Sequence, residues 1–197
     1  MSVNVHFSWD VFQRISTEDA VSFTTVGPAA ERLWSLFYTM RATRPKLIRP
    51  HMAEIYEQSY HMSPEEYFKL PDERILYLSN NAVVRQLAGG FDEIPETDKG
   101  WEQLLDRAKV NLMTFNHVCF KETFDRDFER VLKDARLPAV LPIGAKNVTR
   151  DSQFEKTSKA EAREAFVTNA HSVIEPLVRW DRELFEFAKA ERAAGNL

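Results

Sequence analysis

The sequence predicts an α/β protein that is predominantly helical and built on a small sheet. Three observations lead there. Most of the 197 residues fall in segments whose apolar positions recur at helical spacing. Only two short runs, residues 21–26 and 114–120, carry the β-branched and aromatic composition of strands. Helical segments separate those runs and follow them, the order of an open α/β sheet with heavy helical insertions. With 44% hydrophobic and 28% charged residues, the chain has the mix of a soluble globular protein and length enough for one compact domain, 1–197.

Taken in order, Trp9, Phe12 and Ile15 make a short amphipathic helix, ended by the polar cluster Ser16-Thr17-Glu18-Asp19. Val21-Ser-Phe-Thr-Thr-Val26 is the first strand, bounded by Gly27-Pro28. Pro28 suits the first turn of a helix, where its missing N–H costs nothing. Leu33, Phe37 and Met40, with Trp34 beside them, give that helix a buried face. Residues 43–50 contain Pro45, Pro50 and three basic side chains and read as a loop. Ser63-Pro64-Glu65-Glu66 is a helix start, with serine as N-cap and proline first in the helix. A further helix is expected over 72–87, stopping at Gly89-Gly90, and another over 99–112 with Trp101, Leu104, Leu105 and Ala108 on one face. Thr114-Phe-Asn-His-Val-Cys-Phe120 is the second strand, and Phe124, Phe128, Val131, Leu132 and Ala135 mark the helix after it. Residues 138–159 are loop-like, and a long helix containing Pro176 closes the chain.

Composition narrows the function. A net charge of −4 and a pI of about 5.8 argue against broad nucleic-acid binding, so no nucleic-acid partner is expected. No apolar run is long enough to span a membrane, and residues 1–10 have no basic stretch followed by an apolar region. The expectation is therefore no membrane association and a cytoplasmic location. Cys119 is the single cysteine, so no internal disulfide forms. Inside Val118-Cys119-Phe120 it reads as a small core hydrophobe. His51, His61, His117 and His171 lack metal-ligand spacing, and no metal is expected.

Five segments together resemble the sulfotransferase family, its carbohydrate and uronosyl members above all. Phe23-Thr-Thr-Val-Gly27-Pro-Ala-Ala-Glu-Arg32-Leu-Trp-Ser35 is similar to the family's "FTVLRDPVERLLS". Asn81-Ala-Val-Val-Arg85-Gln-Leu-Ala-Gly89 resembles "NLQTRYLAG", and Phe120-Lys-Glu-Thr-Phe-Asp125 resembles "LTERFDES". Lys146-Asn-Val-Thr-Arg150 is similar to "LNVSR", and residues 180–187 resemble the final-helix pattern "NALDLELYEYA". Val5-His6-Phe7-Ser8 stands where uronosyl members have "GHVSF".

The resemblance implies transfer of a sulfuryl group from 3′-phosphoadenosine 5′-phosphosulfate to a hydroxyl of a carbohydrate or small-molecule acceptor. It implies His6 as the base for the acceptor proton, a role suited to imidazole, although the residue also reads as a plain histidine of the N-terminal segment. It implies Ser35 and Arg32 as contacts of the donor's 3′-phosphate, with Lys146 and Arg150 supplementing that site. The residues alone leave Ser35 as a small polar residue between core positions and Arg32 as a surface partner of a carboxylate. Arg85 reads better as structural. Acceptor pockets would come from residues 43–61 and 138–159.

Two departures accompany the resemblance. The family's opening strand and phosphate loop, of the type "PKTGGTSL", has no counterpart among the glycines at 27, 89, 90, 100, 144 and 195. The arginine of "LRDP" is replaced by Gly27. The expected fold is thus a truncated P-loop-like sulfotransferase fold with a small parallel sheet. Its edge would need covering, by another strand, by helices, or by a second copy or a partner chain. A catalytically inactive family remnant that serves as a binding or interaction protein is the alternative.

Overall fold

The structure, a computed structural model, describes residues 9–15, 17, 20–43, 48–90, 92–138, 164, 166, 168 and 171–197. These residues are mostly helical, with a two-stranded parallel sheet. The chain divides into two compact units. The first comprises Met1–Pro28, Asn81–Gly144 and Trp180–Leu197, and the second Ala29–Asn80 and Ala145–Arg179. Each has its own apolar core.

In the first unit, β1 (Phe23–Val26) pairs in parallel with β2 (His117–Phe120), Phe23 opposite His117 and Val26 opposite Phe120. Both strands are shorter than their sequence runs. Asn116 Oδ1 accepts from the Ser22 N–H and hydroxyl, both at 2.8 Å, and fixes the entry to the ladder. Val26, Val118 and Phe120 share one face of the sheet and enter the core. There they join Leu104, Leu105, Ala108 and Leu112 of α7 (Asp98–Leu112), a helix buried along the stripe that its spacing predicted. Thr97 caps α7, accepting from the Gly100 N–H at 3.2 Å. α8 (Phe124–Asp134) follows β2, and α1 (Trp9–Ile15) packs the rings of Trp9 and Phe12 against Phe115.

The helix expected over 72–87 is two helices, α5 (Glu73–Ser79) and α6 (Ala82–Ala88). Apolar spacing runs through the break, but Asn81 adopts a left-handed φ of 43°, which ends one helix and starts the next. Its Oδ1 accepts from the backbone N–H groups of Trp180 and Asp181 at 2.8 and 3.1 Å, in α9 (His171–Ala193). Asp181 answers by accepting from the Val84 N–H at 2.8 Å. Gly89, with φ of 78°, closes α6 as a left-handed cap.

In the second unit, α2 (Ala29–Ala42) buries Leu33, Trp34, Phe37 and Met40 as its pattern predicted. Residues 43–61 are not one loop: α3 (Ala53–His61) occupies their second half and buries Ile55 and Ser59, one turn apart. Arg74 holds the start of this segment to α5. Its guanidinium donates to the His51 carbonyl at 2.8 Å, Glu54 at 2.7 Å and Asp72 at 2.6 Å. α4 (Pro64–Phe68) opens with a full capping box: the Ser63 hydroxyl accepts from the Glu66 N–H, and the Glu66 carboxylate accepts from the Ser63 N–H at 2.8 Å. Ser63→Ala is expected to cost about 1 kcal/mol, read as a lowered urea midpoint with an unchanged slope.

Candidate functional site

His6, Lys146 and Arg150 lie outside the described residues, as do all but the first residue of 138–159. The other two site expectations sit on α2. Arg32 and Ser35 are one turn apart, so their side chains emerge side by side. Ser35 is exposed. Arg32 is half-buried, and its fork is committed: Nη1 donates to the Leu78 carbonyl at 3.1 Å and Nη2 to the Ser79 carbonyl at 2.6 Å. These carbonyls end α5, where unpaired acceptors and the helix dipole favour a cation. In this position Arg32 serves as a C-terminal cap for a neighbouring helix. Arg85 is completely buried within α6.

A buried polar constellation on α8 was not anticipated. Asp127 of α8 is buried beside the carboxyl end of β2. Its Oδ2 accepts from the Phe120 N–H at 3.0 Å, the Thr123 hydroxyl at 2.6 Å and Arg192 Nη1 at 2.9 Å. Its Oδ1 accepts from Arg192 Nη2 at 2.7 Å. The Arg192 guanidinium also lies over the Phe120 ring, 4.5 Å from its centroid. Burial pushes the Asp127 carboxyl up. The hydrogen bonds from Thr123, Phe120 and Arg192 together outweigh that and hold it below the usual carboxylate range. All of these groups are turned on one another, so the cluster fixes the end of the strand rather than offering a reactive acid. The sequence did contain a signal for it: Asp127 lies at core-facing spacing between Phe124 and Val131, where a charge requires a buried partner.

Cys119 is buried, and that burial, aided by the Asp127 charge, pushes its thiol up to about 11. It stays protonated at neutral pH and is a core residue rather than a nucleophile. His117, at the start of β2, points its Nε2 at Asp134, 3.0 Å away. Among the described residues no three His, Cys, Asp or Glu side chains are grouped to hold a metal ion, and no helix is long and apolar enough to cross a membrane.

The carboxyl end of the strand pair is where open α/β sheets receive ligands. In the first unit that end presents Gly27 after β1 and the exposed Lys121 after β2. Lys121 begins a short 3₁₀ turn, Lys121–Thr123, that leads into α8. No family model, curated protein or solved structure matches the chain.

Proposed function

We propose that the chain is a sulfotransferase-family protein that transfers a sulfuryl group from 3′-phosphoadenosine 5′-phosphosulfate to a hydroxyl of a carbohydrate or small alcohol. The observation that carries this reading is the in-register parallel pairing of β1 and β2. It brings the carboxyl end of the "FTVLRDP"-like strand beside the start of the "LTERFDES"-like segment, at the ligand-receiving end of one sheet. Sulfuryl transfer is an in-line displacement. By analogy with phosphoryl transfer, it needs the donor's anionic groups held and the acceptor proton removed. Ser35, exposed on the helix that follows β1, supplies a hydroxyl for the donor's 3′-phosphate, and His6 is the base.

The engagement of Arg32 with the end of α5 favours the second reading, a binding protein of the same family without catalysis. Calorimetry with 3′,5′-adenosine bisphosphate tests what the two share. One-to-one binding is expected, weakened about fivefold by Ser35→Ala, the worth of one ordinary hydrogen bond. No heat at millimolar nucleotide would overturn the donor-binding reading. Sulfuryl transfer to a panel of sugar alcohols then separates enzyme from binding protein.

A further inference from the structure

The outer face of α8 carries a row of cations. Arg126, Arg130 and Lys133 recur once per turn and are exposed, on the face turned away from Phe124, Phe128 and Val131. The row runs about 10 Å along the helix. Arg136 adds an exposed cation just past the end of α8, on left-handed backbone with a φ of 55°. Helices usually take glycine at that position, and arginine holds it against a steric cost. The carboxylates of α8 do not neutralise the row. Asp127 is bonded to Arg192, and Asp134 faces His117 at 3.0 Å. Asp125 and Glu129 fall on the flank beside Phe128. Arg126 stands 3.7 Å from Asp127 by its Nε, while Arg130, Lys133 and Arg136 enter no ion pair among the described residues. Helix stability does not account for the row either. Lys133 suits the negative end of the helix dipole, but Arg126, in the first turn, opposes the dipole at its positive end.

We propose that this face of α8 docks an acidic helix of a partner protein, one that carries carboxylates once per turn. Charge complementarity identifies the occupant. Arg126 and Arg130 each present a planar fork, which pairs with a carboxylate through two parallel hydrogen bonds. The spacing of the row equals that of carboxylates at i, i+4 and i+7 on a facing helix. Each turn can then form one pair, as the flanking charges of paired helices do. The row holds no aromatic side chain on which an unpaired base could stack. Nor does it present the apolar stripe that an interfacial helix sinks into lipid, because the apolar side of α8 is turned inward. The chain as a whole has a net charge of −4, so the row confines the attraction of an acidic partner to one face and orients it there. This docking face is independent of the donor-binding reading above.

The test uses the full chain and two labelled, alanine-based helical peptides of one composition, read by fluorescence anisotropy. One carries glutamate at i, i+4 and i+7; in the other the same glutamates are spread around the helix. The first should bind about fivefold or more tightly than the second, the worth of one well-placed ion pair. Its affinity should fall as ionic strength rises. Arg130→Glu and Lys133→Glu, both at exposed positions, should each weaken it by about fivefold or more. Lys99→Glu makes the same change of charge at the exposed start of α7 and should stay within about twofold of wild type. Urea midpoints of the three variants confirm that the fold is kept. Equal affinity for the two peptides, or an equal loss in Lys99→Glu, overturns the row as the recognising element. No binding of the first peptide at millimolar concentration overturns the docking face. Binding of phosphatidylserine vesicles in place of the peptide assigns the row to an anionic lipid surface and overturns the acidic helix as its occupant.

Discussion

Asp127→Ala should lower the stability of the first unit by about 3 kcal/mol. The loss is more than one ion pair. Removing the carboxylate leaves the Phe120 N–H and the Thr123 hydroxyl without their acceptor, and both Arg192 Nη groups without their counter-charge. Arg192 is about a quarter exposed, so water recovers part of its hydration, which places the figure at the lower end for a broken buried pair. The Asp127 carboxyl is held below its ordinary value in the folded state, so its contribution is complete above the normal carboxylate range. It is lost as pH falls through the depressed folded value. The stability gap between wild type and Asp127→Asn, measured by urea unfolding, should therefore narrow between about pH 5 and pH 2. A gap that stays constant over that range would show that the charge of Asp127 contributes nothing.

Asn81→Ala should cost a similar amount, about 3 kcal/mol, for a different reason. The backbone N–H groups of Trp180 and Asp181 would lose the single oxygen that receives both, at a residue only 1% exposed. Alanine would also bear the left-handed backbone that asparagine tolerates, a further 1–2 kcal/mol or so if the turn does not relax. Asn81→Gly separates the two terms: it removes the acceptor and the backbone strain together, so it should be milder than Asn81→Ala. Hydrogen exchange at the Trp180 and Asp181 amides reads the first term directly. Unchanged protection there in Asn81→Ala would refute the part of the Asn81 oxygen as their acceptor.

Local patterns made much of the fold legible. The apolar stripes of α2 and α7, the Ser63-Pro64 helix start and the two β-branched runs all depend on neighbours within a few residues, and each appears where the sequence places it. What escaped depends on distant partners. Apolar spacing continues across Asn80-Asn81, and the reason for the break lies about a hundred residues away, in α9. α3 was hidden because Ile55 is its only buried large apolar residue, while Arg74 secures the start of its segment from outside. At the candidate site, the serine and arginine of the strand–helix motif were identifiable by type. That Arg32 would cap α5 was not, because the carbonyls it meets lie 46 and 47 residues further on.

The parallel pairing of β1 with β2 also governs the order in which the chain can fold. Parallel neighbours cannot be joined by a tight turn, and here Ser22 meets Asn116 across 94 residues. Closing that span costs conformational entropy before any strand hydrogen bond repays it. The core these strands face further requires Trp180, Leu184, Phe185 and Ala188. On a ribosome, β1 would emerge well before its partners existed. The helices α2 to α5, whose contacts are nearer in sequence, could gather first. A nascent chain stalled before residue 180 would thus have its second strand available but lack the α9 residues that close the first core.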